Sequence, residues 1–458
     1  MSGSQNGCCN GESSPQGGGA RVFEGGGGAA AESKRLASAH PSPPPARGLA
    51  TSPFGGGLTA AVRGGRSADP WSRALVTPLV QSTTYVGESL ESPPPHAYSR
   101  VSNPTVSSLE ARLGAIEDCP PAVCFGTGLA AETALFLATL KAGDHIVLGE
   151  AIYGGTVRLV RELFAGLGVA YTFVDTAGED GPRNVAAAIV PETRLVFIET
   201  PANPTLSLTD IEAVARVTKR AGVLLAVDNT FLTPVLSRPL DLGADICVYS
   251  TTKHIEGHSS AMGGSITTRD EGLLTKIRWV RKCIGNIQAP FNAYLTERGL
   301  ATLPLRLREH SRNAQRVAEW LASRIGEGVS CVHYPGLPDH PQHELALRQH
   351  VGGEFHGGVV SFEVAGGYDA ARRLLANLRL CSLVEHVGSV ETLVTHSASM
   401  THADVPREHR LRVGITDGLV RISVGLEDPA DVIADLEQGL DAACGTAEKA
   451  EGGVACRV

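Results

Sequence analysis

The chain has 458 residues, 42% of them hydrophobic, 19% charged and 5% aromatic, with a formal net charge of −8. At about 150 residues per cooperative unit, that length holds two or three domains. The acidic balance gives no global basic field for a polyanion, and no segment approaches the roughly 20 uninterrupted apolar residues that a spanning helix needs, so neither a nucleic acid nor a membrane is expected as partner.

Residues 1 to about 56 are dominated by Gly, Ser, Pro and Ala, with GGGG and SPPPAR tracts. Such a stretch buries too little apolar surface to offset its ordering entropy, so a disordered leader is expected, with a similar polar tail after about residue 444. The leader lacks the charged start and apolar core of a secretory signal, and its few charges are mixed rather than Arg-rich. Cytoplasmic residence is the expectation, with organelle targeting by the leader as the alternative. The ten cysteines show no CxxC spacing. Cys124, Cys247 and Cys331 fall in apolar, strand-like runs, where a free thiol acts as a small hydrophobe, which points to a reducing compartment.

From about 122 to 270, short apolar runs alternate with helical stretches. DHIVLGE (144–150), VAYTFVD (169–175), RLVFIET (194–200), VLLAVD (223–228) and ICVYS (246–250) read as buried strands. Between them lie TVRLVRELFAGLG and DIEAVARVTKRAG, the second opening on Asp210 as N-cap and closing at Gly222. Strand alternating with helix predicts a parallel sheet covered on both faces. Beyond about 300 come long helical segments, then GGVVSFEV and LVRISVGL as strands of a smaller α/β domain.

Ligands of open parallel sheets bind outside the carboxyl ends of the strands. Read there, the sequence offers Tyr153 in AIYGGT, Asn203 in ETPANPT, Asp228 before NTF, and Ser250, Thr252 and Lys253 in STTKHIEGHSS. The turn CFGTGLAAETAL leads into a helix whose first amides offer a phosphate site. Each feature has a bland reading: a capping Asp, a packing Tyr, a glycine turn that lets a helix approach the sheet. Lys253 resists one. It is one of only seven lysines and follows an apolar strand directly, a costly position that suits a Schiff-base lysine of lowered pKa. An amine, a carboxylate, an aromatic face and a phosphate cradle are together the parts that hold pyridoxal phosphate.

Over about residues 58–443 the sequence resembles the Cys/Met-metabolism family of pyridoxal-phosphate enzymes. The resemblance rests on QSTTY, YSRVSNPT, FGTGLAAE, IYGGT, ETPANPT, VDNTF, STTKHIEGHS, PFNAYLTERGLATLPLR, YPGLPDHP, SASMTH and LVRISVGLED, in the family's order. It implies fold type I, the aspartate aminotransferase-like α/β class, with a mostly parallel sheet in a large domain and a smaller C-terminal α/β domain. The implied organisation is a leader to 56, an arm for subunit contact over 57–110, a cofactor domain over 111–300, a C-terminal domain over 301–443 and a flexible tail. It further implies a homotetramer with active sites shared between subunits.

By the same resemblance, Lys253 binds the cofactor's aldehyde and later shuttles protons, Asp228 pairs with the pyridinium nitrogen, and Tyr153 stacks on the ring and serves as acid or base. Gly128 and Leu129 amides with the Ser250 and Thr252 hydroxyls hold the phosphate, and Tyr98 and Arg100 reach the phosphate of a neighbouring subunit. Asn203 lies near the ring hydroxyl, and Arg421 clamps the substrate α-carboxylate.

Glu385 stands where cystathionine-handling members carry glutamate, and Gly155 where methionine γ-lyases typically show cysteine. Both favour cystathionine chemistry, by γ-replacement or γ-elimination, with the direction open. Alternatively Glu385 is a solvated loop carboxylate. A cystathionine β-lyase, a methionine γ-lyase or an O-acylhomoserine sulfhydrylase is the nearest alternative. The chain departs from the family at His386, where a serine that helps to place the substrate carboxylate is usual; at His254, where an aromatic is usual; at Thr127, where Ser is usual; and at Ser260, where Asp is frequent.

Three rival patterns remain. GTGLAA with Glu150 about 20 residues on matches a dinucleotide fingerprint, the sharpest rival, as for a nicotinamide dehydrogenase. Ser250 to Lys253 spells Ser-x-x-Lys, but the Ser-Asp-Asn and Lys-Thr-Gly partners are missing from the sequence. His340, His343 and His350 suggest metal, yet their spacing favours solvated loop histidines. A catalytically silent relative is a further alternative, against which the presence of Lys253, Asp228 and Arg421 counts.

Overall fold

The structure, a computed structural model, describes residues 56–65, 68–69, 72–403 and 405–444. The expectations of a disordered leader and tail fall on residues outside this range, apart from Gly56 and residue 444. No helix among the described residues is long and apolar enough to cross a membrane.

Seven strands form the first sheet: β1 (Val123–Phe125), β2 (His145–Gly149), β3 (Ala170–Val174), β4 (Thr193–Glu199), β5 (Leu224–Asp228), β6 (Ile246–Tyr249) and β7 (Gly264–Thr268). Their order is β1-β7-β6-β5-β4-β2-β3, with β7 antiparallel to both neighbours and the pairs from β6 to β3 parallel. Side chains alternate between two buried faces, as a doubly covered sheet requires. Leu195 and Phe197 join the core under helices Gly128–Thr139 and Glu271–Ile284, while Val196 and Ile198 join Ile211 and Val214 on the other side. Helix Ile211–Ala221 starts and stops where its sequence says: the Asp210 carboxylate accepts from Ala213 N at 2.8 Å, and Gly222 ends it at φ 67°.

Three details differ from the sequence reading. The strand within 169–175 is not buried throughout: β3 is a sheet edge, and Ala170 and Tyr171 are exposed. β7 was not legible because GSITT carries one large apolar residue, Ile266, and its pairing breaks the parallel pattern. Cys124 and Cys247 are buried free thiols, but Cys331 is disulfide-bonded.

The second sheet has the order β10-β11-β12-β9-β8, from β8 (Val329–His333), β9 (Val359–Val364), β10 (Ser382–Leu383), β11 (Leu393–His396) and β12 (Leu419–Ser423). One face packs Val360, Phe362, Val420 and Ile422 under helices Leu303–Ser323, Gly367–Asn377 and Pro429–Cys444. Period two then sends Ser361, Thr395 and Arg421, which are register partners, to the opposite face. There the Ser361 hydroxyl donates to Pro204 O at 2.6 Å, so this face meets the loop after β4.

His340 and His350 are buried rather than solvated, and His350 Nδ1 lies 2.9 Å from His356 Nδ1. Among the described residues no group of three or more His, Cys, Asp or Glu is placed to hold a metal. Burial lowers His310, His333, His340 and His356 to about 4 and His350 to about 3, against 6.5 unfolded. Between those values the unfolded chain binds more protons than the folded one, so stability is lost as the pH is lowered. The denaturant midpoint is expected to drop steadily from about pH 6.5 to about pH 4; a flat profile across that interval would contradict the burial of these rings.

Candidate active site

The parallel strands end side by side, with Glu199 of β4 in register with Asp228 of β5, and Asp228 with Val248 of β6. Asp228 is buried, and its carboxylate accepts from Thr230 N at 2.9 Å. Burial raises it to about 6, against the opposing hydrogen bonds from Thr230. Thr230 also binds the next loop, its hydroxyl accepting from Ser250 N at 2.9 Å. One residue thereby sets the carboxylate and the loop of Ser250, Thr252 and Lys253 relative to each other.

Helix Gly128–Thr139 opens against that loop. The Thr127 hydroxyl caps it by accepting from Ala130 N at 3.0 Å, so threonine does the capping work of serine. The first amides of a helix have no intrahelical acceptor, which leaves those of Gly128 and Leu129 for a ligand. Gly128 permits the close approach: a Cβ there would lie 2.9 Å from the Ser250 Cβ. Thr252 is engaged otherwise, its hydroxyl donating to Gly263 O at 3.1 Å and accepting from Gly263 N at 3.0 Å. To donate to a phosphate it must give up the first of these.

Lys253 is nearly enclosed, and burial, reinforced by the Arg421 charge, lowers its amine to about 8. Its Nζ lies 3.2 Å from His386 Nδ1. Arg421 is buried on β12 and donates to Asn203 Oδ1 at 2.7 Å, Thr395 Oγ1 at 2.9 Å and the His386 carbonyl at 3.2 Å. Burial lowers it to about 10, which leaves it a cation at neutral pH. Its Nε has no partner among the described residues. Glu385 is exposed, and its charge favours the protonated forms of Arg421 and Tyr153, which places it near both.

Tyr153 heads helix Gly154–Arg158, with 37% of its surface exposed and its pKa raised chiefly by burial. Its amide donates to Glu199 Oε2 at 2.7 Å, while Asn203 N donates to Glu199 Oε1 at 2.9 Å. Glu199 therefore braces both loops. Burial, then the charge of Asp228, holds it well above the usual carboxylate range despite those amides. Glu132, buried on helix Gly128–Thr139, is pushed up to about 8 by burial and then by Asp228, and accepts from the Thr156 hydroxyl at 2.8 Å. Neither acid was singled out from sequence, although both carried signals. Glu199 ends a strand as Asp228 does, and Glu132 interrupts an otherwise apolar helix.

Tyr98 and Arg100 have different neighbours. The Arg100 guanidinium stacks over the Tyr98 ring at 5.2 Å and donates to Lys282 O at 2.7 Å, beside the end of helix Glu271–Ile284. His254 is fully buried, 5.7 Å from His310 edge to face, with neither ring nitrogen partnered among the described residues. Glu150, the acid that the dinucleotide pattern required, is ion-paired with Arg412.

A deprotonatable amine, a buried carboxylate at a strand end, an exposed aromatic ring and a helix N-terminus closed tightly on a serine loop suit an aromatic aldehyde phosphate. Pyridoxal phosphate therefore fits these residues. The comparisons agree. The model of the family described as Cys/Met metabolism PLP-dependent enzyme matches residues 58–441. Cystathionine gamma-lyase of Bacillus subtilis is 40% identical over 383 residues, covering 84% of this chain and 98% of that protein. Cystathionine gamma-synthase of Mycobacterium bovis is 43% identical over 386 residues, covering 84% and 97%. The solved structure of cystathionine gamma synthase from Xanthomonas oryzae pv. oryzae, in complex with aminoacrylate and cysteine, superposes with a TM-score of 0.81 at 40% identity, covering 85% of this chain and 99% of that one.

The chain is thus a fold type I pyridoxal-phosphate enzyme. It belongs to the Cys/Met metabolism PLP-dependent family, which removes the dehydrogenase reading.

Proposed function

We propose that this trans-sulfuration enzyme acts on cystathionine or on an activated homoserine, by γ-replacement or γ-elimination. The observation that carries the reading is the juxtaposition of a largely enclosed amine of lowered pKa, Lys253, and a fixed guanidinium, Arg421, both in contact with His386. The relatives, named as synthase and lyase, support both directions.

When bound, pyridoxal phosphate supplies an electron sink for the carbanion left at the substrate's α-carbon. Lys253 would carry it covalently and, once released, take the α-proton at Nζ; an amine near 8 has a usable neutral fraction at neutral pH. Asp228 would pair with the ring nitrogen, and that cation would bring the carboxylate down from about 6. Gly128, Leu129, Ser250 and Thr252 would hold the phosphate. Arg421, already fixed by Asn203, Thr395 and the His386 carbonyl, would take the α-carboxylate without reorganising. Asn203 would lie by the ring hydroxyl, and Tyr153 would stack on the ring and exchange a proton near the leaving group. Glu385 at the mouth, with His386 behind it, would meet the distal part of an amino-acid substrate.

Residues 57–110 would form an arm, 111–300 the cofactor domain and 301–443 the C-terminal domain. Within one subunit Tyr98 and Arg100 contact each other and the end of helix Glu271–Ile284, which supports their service to a neighbour's phosphate in a homotetramer, proposed to be cytoplasmic.

Product analysis tests the reaction. L-cystathionine, L-methionine, and O-succinyl-L-homoserine with cysteine are each supplied to the loaded enzyme. Cystathionine formed from the last pair, or cysteine and a keto acid formed from the first, supports the reading and fixes the direction. Turnover of methionine alone, or of none, would overturn it. A second test concerns Tyr153. A Cβ at Gly155 would lie 2.4 Å from the Tyr153 Cε1, so Gly155→Ala must displace the ring. kcat/KM is expected to fall about 10- to 100-fold with cofactor content unchanged; wild-type kinetics would mean that Tyr153 takes no part.

A further inference from the structure

Position 386 touches both halves of the proposed machinery. Its carbonyl accepts from Arg421, and its ring nitrogen Nδ1 lies 3.2 Å from Lys253 Nζ. The backbone here is fixed. Val387 is buried with Leu206, Phe231 and Val359, and Gly388 N donates to the Ser423 hydroxyl at 2.8 Å. Gly388 adopts φ 83° and passes so close to the lysine loop that a Cβ would lie 2.5 Å from the His254 amide nitrogen. The imidazole therefore reaches Lys253 from a rigid platform.

An ammonium has only donors, so Nδ1 must accept, and the proton of the neutral ring sits on Nε2. Nε2 is itself buried with no partner among the described residues. We propose that His386 is a positioning residue for Lys253: Nδ1 accepts a hydrogen bond from the lysine amine whenever that amine is not bonded to the cofactor, and so keeps it beside Arg421. This rests on the reading of Lys253 as the reactive amine.

Serine at this position would also accept a hydrogen bond, but it does not titrate. Imidazole does in acid, where the protonated ring becomes a donor facing a cation and releases the amine. The charged and titratable groups around the ring are Lys253, His254 and Glu256 from the loop after β6, Arg421 from β12, and Glu385 beside it in the chain. Burial, then the Lys253 and Arg421 charges, lowers the imidazole to about 4, so the ring stays an acceptor at neutral pH.

The test separates geometry from packing. In the cofactor-free protein, the pH dependence of Lys253 labelling by an amine reagent, read by peptide mass, gives the pKa of the amine. His386→Leu removes the acceptor that stabilises the ammonium and is expected to lower that pKa by about one unit. His386→Asn puts an amide oxygen near the place of Nδ1 and is expected to restore it. In the loaded enzyme, His386→Leu should lower kcat about tenfold with KM little changed, because the carbonyl contact to Arg421 survives. An amine pKa and a kcat in His386→Leu equal to wild type would overturn the proposal. So would a loss that His386→Asn fails to rescue. Cofactor content of the wild-type protein is read first; no cofactor on Lys253 would overturn the functional reading, and this inference with it.

Discussion

Lys253→Ala is expected to abolish both the visible absorbance of the cofactor-loaded protein and its turnover, with kcat lower by at least about 10³-fold. The expectation follows from where the amine sits. The loop after β6 places it under the second sheet, and burial lowers it to about 8 so that a neutral fraction is present at working pH. Folding should survive, since an enclosed amine costs desolvation and contributes little packing at its tip. The measurement is an absorption spectrum with steady-state kinetics, beside a thermal melt to show that the variant is folded. A variant that keeps its colour and turns over normally would remove Lys253 from the mechanism.

Arg421→Ala should raise KM about 10- to 100-fold while cofactor content stays at the wild-type level, because charge-assisted hydrogen bonds to a carboxylate are among the stronger polar contacts. Arg421→Lys should recover only part of the loss, since an ammonium carries the charge without the planar fork that Asn203 and Thr395 now orient. An unchanged KM in Arg421→Ala would assign the carboxylate to another group.

The sequence made the strands of the first sheet from β2 to β6 legible and left the β1–β7 side obscure. β2, β4, β5 and β6 are runs of Ile, Val, Leu and Phe buried on both faces, a pattern that composition alone reveals. β1 is three residues long and shows only as a short apolar run around Cys124, and β7 is rich in Ser and Thr and carries no hydrophobic signal above its surroundings. The site follows the same division. Lys253 and Asp228 were readable because strand ends of a parallel sheet point at ligands. Glu199 obeys the same rule but sits before a Thr-Pro step that draws attention to Asn203 instead. Arg421 and His386 come from a second sheet far along the chain. Their convergence on Lys253 depends on tertiary packing that no local pattern encodes, and only the resemblance pointed to them. The histidines of 340–350 were misread because their polar character suggested solvent, whereas ring–ring and ring–carbonyl hydrogen bonds let them stay inside.

Borohydride reduction of the pyridoxal-phosphate-loaded protein, followed by peptide mapping, tests the central claim most directly. It fixes the cofactor covalently to whichever amine holds it. A pyridoxyl label on the peptide containing Lys253 is the predicted result. A label on another of the seven lysines, or on none, would contradict the account.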